Sequence, residues 1–85
     1  MSDLQKQFDD AVAQSKNLPQ RPDNNTLLKL YALYKQGTGG DAAGPRPGMG
    51  DLIGRAKYDA WSAIAGTSGE QAMQQYVDLI DSLQD

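Results

Sequence analysis

Apolar residues recur along this chain three and four positions apart, the period of an α-helix with one face turned to a core. Leu4, Phe8, Ala11 and Val12, with Ser15, share the first such face and predict a helix from Asp3 to Lys16. Ser2 and Gln5 have capping-box spacing at its start. Asn17-Leu18-Pro19 ends it and Pro22 marks a second break, because proline neither donates to a helix nor tolerates helical geometry before it. A second stripe, Leu27, Leu30, Tyr31 and Tyr34, runs through LLKLYALYKQ, with Asp23 as its N-cap and Gly37 as its C-terminal cap. A third helix, DLIGRAKYDAWSAIA, opens at Asp51 and ends at Gly66; its stripe is Ile53, Lys57, Ala60, Trp61 and Ile64. Thr67 and Glu70 form a second capping box. The helix behind it carries Met73, Tyr76, Val77, Ile80 and Leu83, a face for packing on the first helix with Tyr76 at its rim. Neither strand alternation nor an internal repeat interrupts this pattern, so the chain reads as all-α, four helices in one domain over residues 1–85.

Between the second and third helices, residues 37–50 hold six glycines and two prolines, which predicts a loop without regular structure. A loop of that length in a small domain is usually functional or mobile. Gly37-x-Gly39-x-x-Ala42 resembles a dinucleotide fingerprint, but a helix precedes it and no βαβ unit surrounds it, so the match is set aside.

Composition then removes whole classes of chemistry. The chain has no cysteine and no histidine, which excludes thiol chemistry, disulfides, the usual zinc sites and the commonest general base. Eleven acidic against eight basic residues give a net charge of −3, unlike the basic balance of nucleic-acid binders. No apolar run approaches a membrane span, and MSDLQKQFDD lacks the charged start and apolar centre of a signal peptide, so a cytoplasmic location without a transmembrane segment is expected. Asn24-Asn25-Thr26 matches the glycosylation triplet, which has no meaning without secretion.

Two features remain as candidate chemistry. Tyr31, Tyr34 and Lys35 offer rings that stack, hydroxyls that hydrogen-bond and, one turn beyond Tyr31, an ammonium projecting beside that ring; a phosphorylated nucleotide would suit them, and so would a plain core with a solvated lysine. Lys57 interrupts an apolar face, either to snorkel its head into water or to reach a bound anion.

Taken together, Tyr31-x-x-Tyr34-Lys35-Gln36, Arg46-Pro47-Gly48-Met49, Lys57-x-x-x-Trp61, Gly66-Thr67-Ser68 and Tyr76 closely resemble the acyl-CoA-binding protein family, over essentially the whole chain. The resemblance implies a four-helix up-down-down-up bundle with a long connection between helices 2 and 3, where the Gly/Pro loop lies. It implies non-covalent binding of medium- to long-chain fatty acyl-CoA by an intracellular carrier that buffers and protects its ligand, with no cofactor, metal or catalytic residue. By position, Tyr31, Tyr34 and Lys35 would contact the adenine and 3′-phosphate, and Lys57 would be the second cation on the phosphates. Tyr76 would line the site near the pantetheine or the start of the acyl chain, Lys16 would also touch ligand, and Leu27, Leu28 and Ile53 would flank the acyl groove. A monomer is expected, with transient contacts to acyl-CoA-using enzymes or a membrane surface and none to nucleic acid.

The chain departs from the family pattern at Tyr58, where tryptophan is general, at Leu52, where an aromatic is common, in its small-residue loop, and in ending at Asp85 without a lysine-rich tail. Two other functions fit a small acidic helical chain. In an acyl carrier protein, Asp81-Ser82-Leu83 would be the attachment site, but that serine should open an internal helix, and here it sits at the C-terminus beside a core leucine. A helical interaction module would offer its apolar groove to a partner helix. Catalysis is not expected, since Asp41, Arg46 and Asp51 make no carboxylate pair or nucleophile–base pair.

Overall fold

Side-chain caps set where the helices begin. The Asp23 carboxylate accepts from the Thr26 N–H at 2.8 Å, and that of Asp51 from the Gly54 N–H at 2.9 Å, each satisfying a donor that helix geometry leaves unpaired. The computed structural model describes residues 3–84. It contains α1 (Asp3–Gln14), α2 (Asn24–Gly39), α3 (Leu52–Ser62) and α4 (Gly69–Ser82), with a short 3-10 turn, Ser15–Asn17, after α1 and no strand among the described residues. Of the two expected capping boxes, one has its serine, Ser2, outside the described residues. The other lies one residue later than the sequence suggests. Ser68 accepts from the Gln71 N–H at 3.1 Å, and Gln71 accepts from the Ser68 N–H at 3.2 Å. Thr67 instead closes the preceding turn, donating its N–H to the Ile64 carbonyl at 3.1 Å.

α2 passes through Gly37 and stops two residues later, where Gly40 caps it at φ +80°, a conformation glycine adopts without steric cost. Gly37 serves helix packing instead. A Cβ there would lie 3.1 Å from Met73 Cγ, so α2 and α4 cross closely at this point. α3 is shorter than expected; after Ser62 the chain continues in turns to Gly66.

Contacts between helix ends give the topology. The start of α4 meets the end of α2 at Gly69 and Gly37, so those two run antiparallel. Gln84, just past α4, reaches Gln14 at the end of α1, so α1 and α4 run together. α2 and α3 are parallel: their N-terminal turns share a cavity, and Gln36 meets Trp61 near their C-terminal ends. This is an up-down-down-up four-helix bundle.

The core comprises Phe8 and Ala11 of α1, Leu30 and Leu33 of α2, and Ala72, Tyr76, Val77 and Ile80 of α4. Complete burial of such large side chains contributes roughly 1.5–3 kcal/mol each. The Phe8 ring stacks at 6.0 Å on Tyr34 and meets Tyr76 edge-on at 5.1 Å. Two expectations change here. The buried face of α2 is Leu30, Ala32, Leu33 and Gln36, not the stripe Leu27, Leu30, Tyr31 and Tyr34. Tyr76 lies inside the core, 4 % exposed, rather than at its rim. α3 buries no residue fully, and its Leu52 and Ile53 are 67 % and 73 % exposed.

The connection from α2 to α3 is strapped onto α3 despite its glycines. Arg46 holds Asp59 through two hydrogen bonds of 2.8 and 2.7 Å, the fork geometry suited to a carboxylate. The Tyr58 hydroxyl donates to the Gly44 carbonyl at 2.9 Å, and Arg55 donates to the Met49 sulfur at 2.9 Å.

Candidate functional site

The parallel arrangement of α2 and α3 leaves a cavity of about 460 Å³ between their first halves. Its α2 wall is Asn24, Leu27, Leu28 and Tyr31; its α3 wall is Leu52, Ile53, Ala56 and Lys57; Arg21 stands at the edge from the segment before α2. Apolar side chains dominate both walls, and the two cations sit among them. Leu27 and Tyr31 thus face this cavity, which explains why they stay out of the core although Leu30 of the same stripe enters it.

The cations and rings of the two helices are crossed. Lys57 of α3 places Nζ 5.3 Å from the ring centroid of Tyr31 on α2. Lys35 of α2 places its Nζ 5.0 Å from the ring of Trp61 on α3. Tyr31 and Lys35 are one helical turn apart, as are Lys57 and Trp61, so the parallel register sets both pairs at once. The sequence expectation that Lys35 projects beside Tyr31 is therefore corrected: its ring is Trp61, and Tyr31 receives Lys57. Both ammonium groups stand along the α2–α3 seam, one at the cavity and one a turn beyond it.

Behind Lys35, a polar network fixes the far end of the seam. Gln36 is 1 % exposed yet fully used. Its amide donates to the Thr67 carbonyl and the Asp41 carboxylate, both at 2.7 Å, and its oxygen accepts from the Trp61 indole at 3.2 Å. The indole N–H also donates to the Gly40 carbonyl at 2.8 Å. Asp41 further accepts from the Gly66 N–H at 2.8 Å. The Gly66 N–H first, and Gln36 second, hold the Asp41 carboxyl below the usual carboxylate range. Asp59 is lowered likewise by its bonds to Arg46.

Of the residues singled out in the sequence, Leu27, Leu28, Tyr31, Ile53 and Lys57 meet around the cavity. Lys35 continues the same seam. Tyr34 is 41 % exposed, its ring against Phe8. Tyr76 meets Phe8 edge-on and is not part of the cavity wall. Lys16 is exposed in the turn after α1, also outside the wall. Sequence reasoning missed Arg21, Asn24 and Ala56 as wall residues, and Gln36 and Asp41 as the network that seats Trp61. One signal was available: Gln36 falls three residues after Leu33 on the buried face of α2, a polar group at an apolar position. No group of three acidic or other metal-ligating side chains occurs among the described residues, and no described helix is long and apolar enough to cross a membrane.

Known proteins share both the sequence and the fold. The chain is 49% identical over 81 residues to an acyl-CoA-binding protein homolog of Manduca sexta, covering 94% of this chain and 90% of that protein. It is 51% identical over 79 residues to enoyl-CoA delta isomerase 2 of Homo sapiens, matching 93% of this chain but spanning only 20% of that longer protein. The crystal structure of Oryza sativa acyl-CoA-binding protein 2 superposes with a TM-score of 0.90 at 41% identity, covering 94% of this chain and 89% of that one. The family model described as acyl CoA binding protein matches residues 5–80, from the first turn of α1 to the last core residue of α4, and the chain belongs to that family.

Proposed function

We propose that this chain is a single acyl-CoA-binding domain over residues 1–85. It holds medium- to long-chain fatty acyl-CoA thioesters non-covalently and serves as a cytoplasmic carrier, buffer and protector of them, without turning them over. The observation that carries this reading is an apolar cavity opening onto a seam with two ammonium groups, each resting on an aromatic ring. A thioester of CoA has the matching polarity, with a greasy tail at one end and phosphates at the other.

In this reading Leu27, Leu28 and Ile53 cover the acyl chain, each methylene removed from water adding roughly 0.8 kcal/mol. Lys35 and Lys57 bind the phosphates by charge-assisted hydrogen bonds. Tyr31 and Tyr34 give the adenine a stacking surface, where base stacking contributes about 1–3 kcal/mol. Lys16 adds a further contact, and Tyr76 supports the pantetheine end of the site indirectly, from within the core, through Phe8 and the Tyr34 ring stacked on it. The domain acts as a monomer, with transient contacts to acyl-CoA-using enzymes or a membrane surface.

Calorimetric titration with palmitoyl-CoA, free CoA and palmitate tests the reading. The ester should bind far more tightly than either part, and should raise the melting temperature in proportion to RT ln(1 + [L]/Kd). No heat and no stabilisation at saturating ester would refute it.

A further inference from the structure

A second groove of about 280 Å³ lies next to the first along α2, lined by Ala32 and Leu33 of α2, Ala60 of α3 and Ile64 in the turns that follow, with the polar Asn25, Lys29 and Gln75. Leu28 lines this groove and also the cavity described above. Across the seam, α3 offers the two spaces Ala56 and Ala60, one turn apart and both small. Leu28 is the one residue that lines both spaces.

We propose that Leu28 is the stop that sets how long an acyl chain this domain covers, and that the groove behind it is a latent extension of the acyl site. This rests on the acyl-CoA reading of the cavity. A chain descending from the thioester runs along Leu27 and Ile53 until its tip meets Leu28. Methylenes beyond that point stay in water, so they add nothing to affinity. Truncating Leu28 joins the two spaces through a gap bounded by Ala56 and Ala60, and a longer chain then reaches Ile64. Leu28 is partly buried, and Leu33, a core residue that lines the same groove, remains in place in the variant.

The test is calorimetry of the wild type, Leu28→Ala, Leu28→Phe and Ile53→Ala against acyl-CoA esters of 8 to 22 carbons, with folding checked by helical circular dichroism. In the wild type, affinity should climb with length and then level off. In Leu28→Ala the plateau should move to longer chains. Each additional buried methylene contributes roughly fourfold, so two or three of them raise the long-to-short affinity ratio at least about tenfold. Leu28→Phe should move the plateau to shorter chains, which keeps the proposal open to refutation should the alanine variant unfold. Ile53→Ala should weaken long esters without moving the plateau. In Leu28→Ala, an ester carrying a ¹³C-labelled terminal methyl should show contacts to the methyl groups of Ala60 and Ile64 that the wild type lacks. An unmoved plateau, or an equal loss at every length, would overturn the stop while leaving the acyl-CoA reading intact. Failure of the wild type to bind any ester would overturn that reading, and the stop with it.

Discussion

Replacing Lys57 by methionine removes an ammonium and keeps most of its stem, which makes it a direct probe of the crossed arrangement. In the free protein Nζ lies 5.3 Å from the Tyr31 centroid on an exposed side chain. A cation–π contact at such a site contributes about 0.5–1 kcal/mol, so the variant should fold with nearly unchanged stability. With CoA bound, the same group would meet a phosphate, and a hydrogen bond to a charged group contributes roughly 1.5–3 kcal/mol. Binding reads the difference between the two states. If the ammonium stays over the ring while it bonds the phosphate, the full amount is lost; if it must leave the ring, somewhat less is. The expected penalty is therefore about 0.5–3 kcal/mol, roughly 2- to 150-fold in Kd.

Titration with palmitoyl-CoA and with palmitoyl-pantetheine separates this from a packing effect. The pantetheine ester keeps the tail and thioester but lacks the nucleotide phosphates. Lys57→Met should weaken the CoA ester by the stated factor and leave the pantetheine ester within about twofold. The deficit should shrink as salt rises, because the lost interaction is between partly exposed charges. An equal loss for both esters, or a CoA-ester Kd that does not move, would refute the assignment of Lys57 to phosphate.

Three further outcomes follow from the packing and the polar network. Phe8→Ala should destabilise the fold by roughly 3–5 kcal/mol in urea titration, since Phe8 is 2 % exposed and touches aromatic rings from α2 and α4. Gln36→Leu removes the partner of the Thr67 carbonyl and one acceptor of the Trp61 indole; at about 0.5–1.5 kcal/mol for each neutral bond, thermal melting should fall by several degrees, with a shift in Trp61 fluorescence. Asp41, whose carboxyl is held low in the folded state, contributes stability that is fully present above its unfolded pKa and is lost as pH falls through the folded value. Melting temperature should therefore drop below about pH 4, and more steeply in the wild type than in Asp41→Asn.

The number of helices, their order and two of their caps were legible because each rests on local chemistry: a 3.6-residue period, and the carboxylates of Asp23 and Asp51 ahead of it. What periodicity reports is an apolar face, not what covers it. Leu27, Tyr31 and Tyr34 have the spacing of core residues, and only the position of α3 reveals that a cavity lies in front of the first two. Gly37 was misread for a related reason. Glycine serves both as a helix stop and as a point of close helix approach, and the choice depends on Met73, 36 residues away in the chain. The pairing of Lys35 with Trp61 and of Lys57 with Tyr31 depends on the register of two parallel helices joined by a long loop, which no local pattern encodes. The bonds of Gln36 to Thr67 and of Asp41 to Gly66 are non-local in the same way.

That network bears on how a chain with a net charge of −3 can present a site for an anion. Among the described residues many carboxylates are already occupied with backbone or side-chain donors: Asp23 and Asp51 cap helices, Asp41 joins Gln36 to Gly66, Asp59 holds Arg46, Asp9 and Asp78 accept from Gln5 and Gln74, and Asp10 pairs with Lys6. The ion pairs among the described residues are Lys6–Asp10 and Arg46–Asp59, and neither involves Lys35 or Lys57. Those two lysines rest on aromatic faces instead, and this difference matters energetically. A lysine paired with a carboxylate would have to exchange one anion for another, with little net gain. A lysine held over a ring is oriented by a contact of about 0.5–1 kcal/mol and keeps its hydrogen-bond donors available to a phosphate. Net charge is thus a poor guide to this site, because affinity for an anion depends on which cations lack a charged partner and where the fold aims them. Asp59 illustrates the point from the acidic side: it lies two residues from Lys57, and the fork of Arg46 engages both of its oxygens on the loop side of α3.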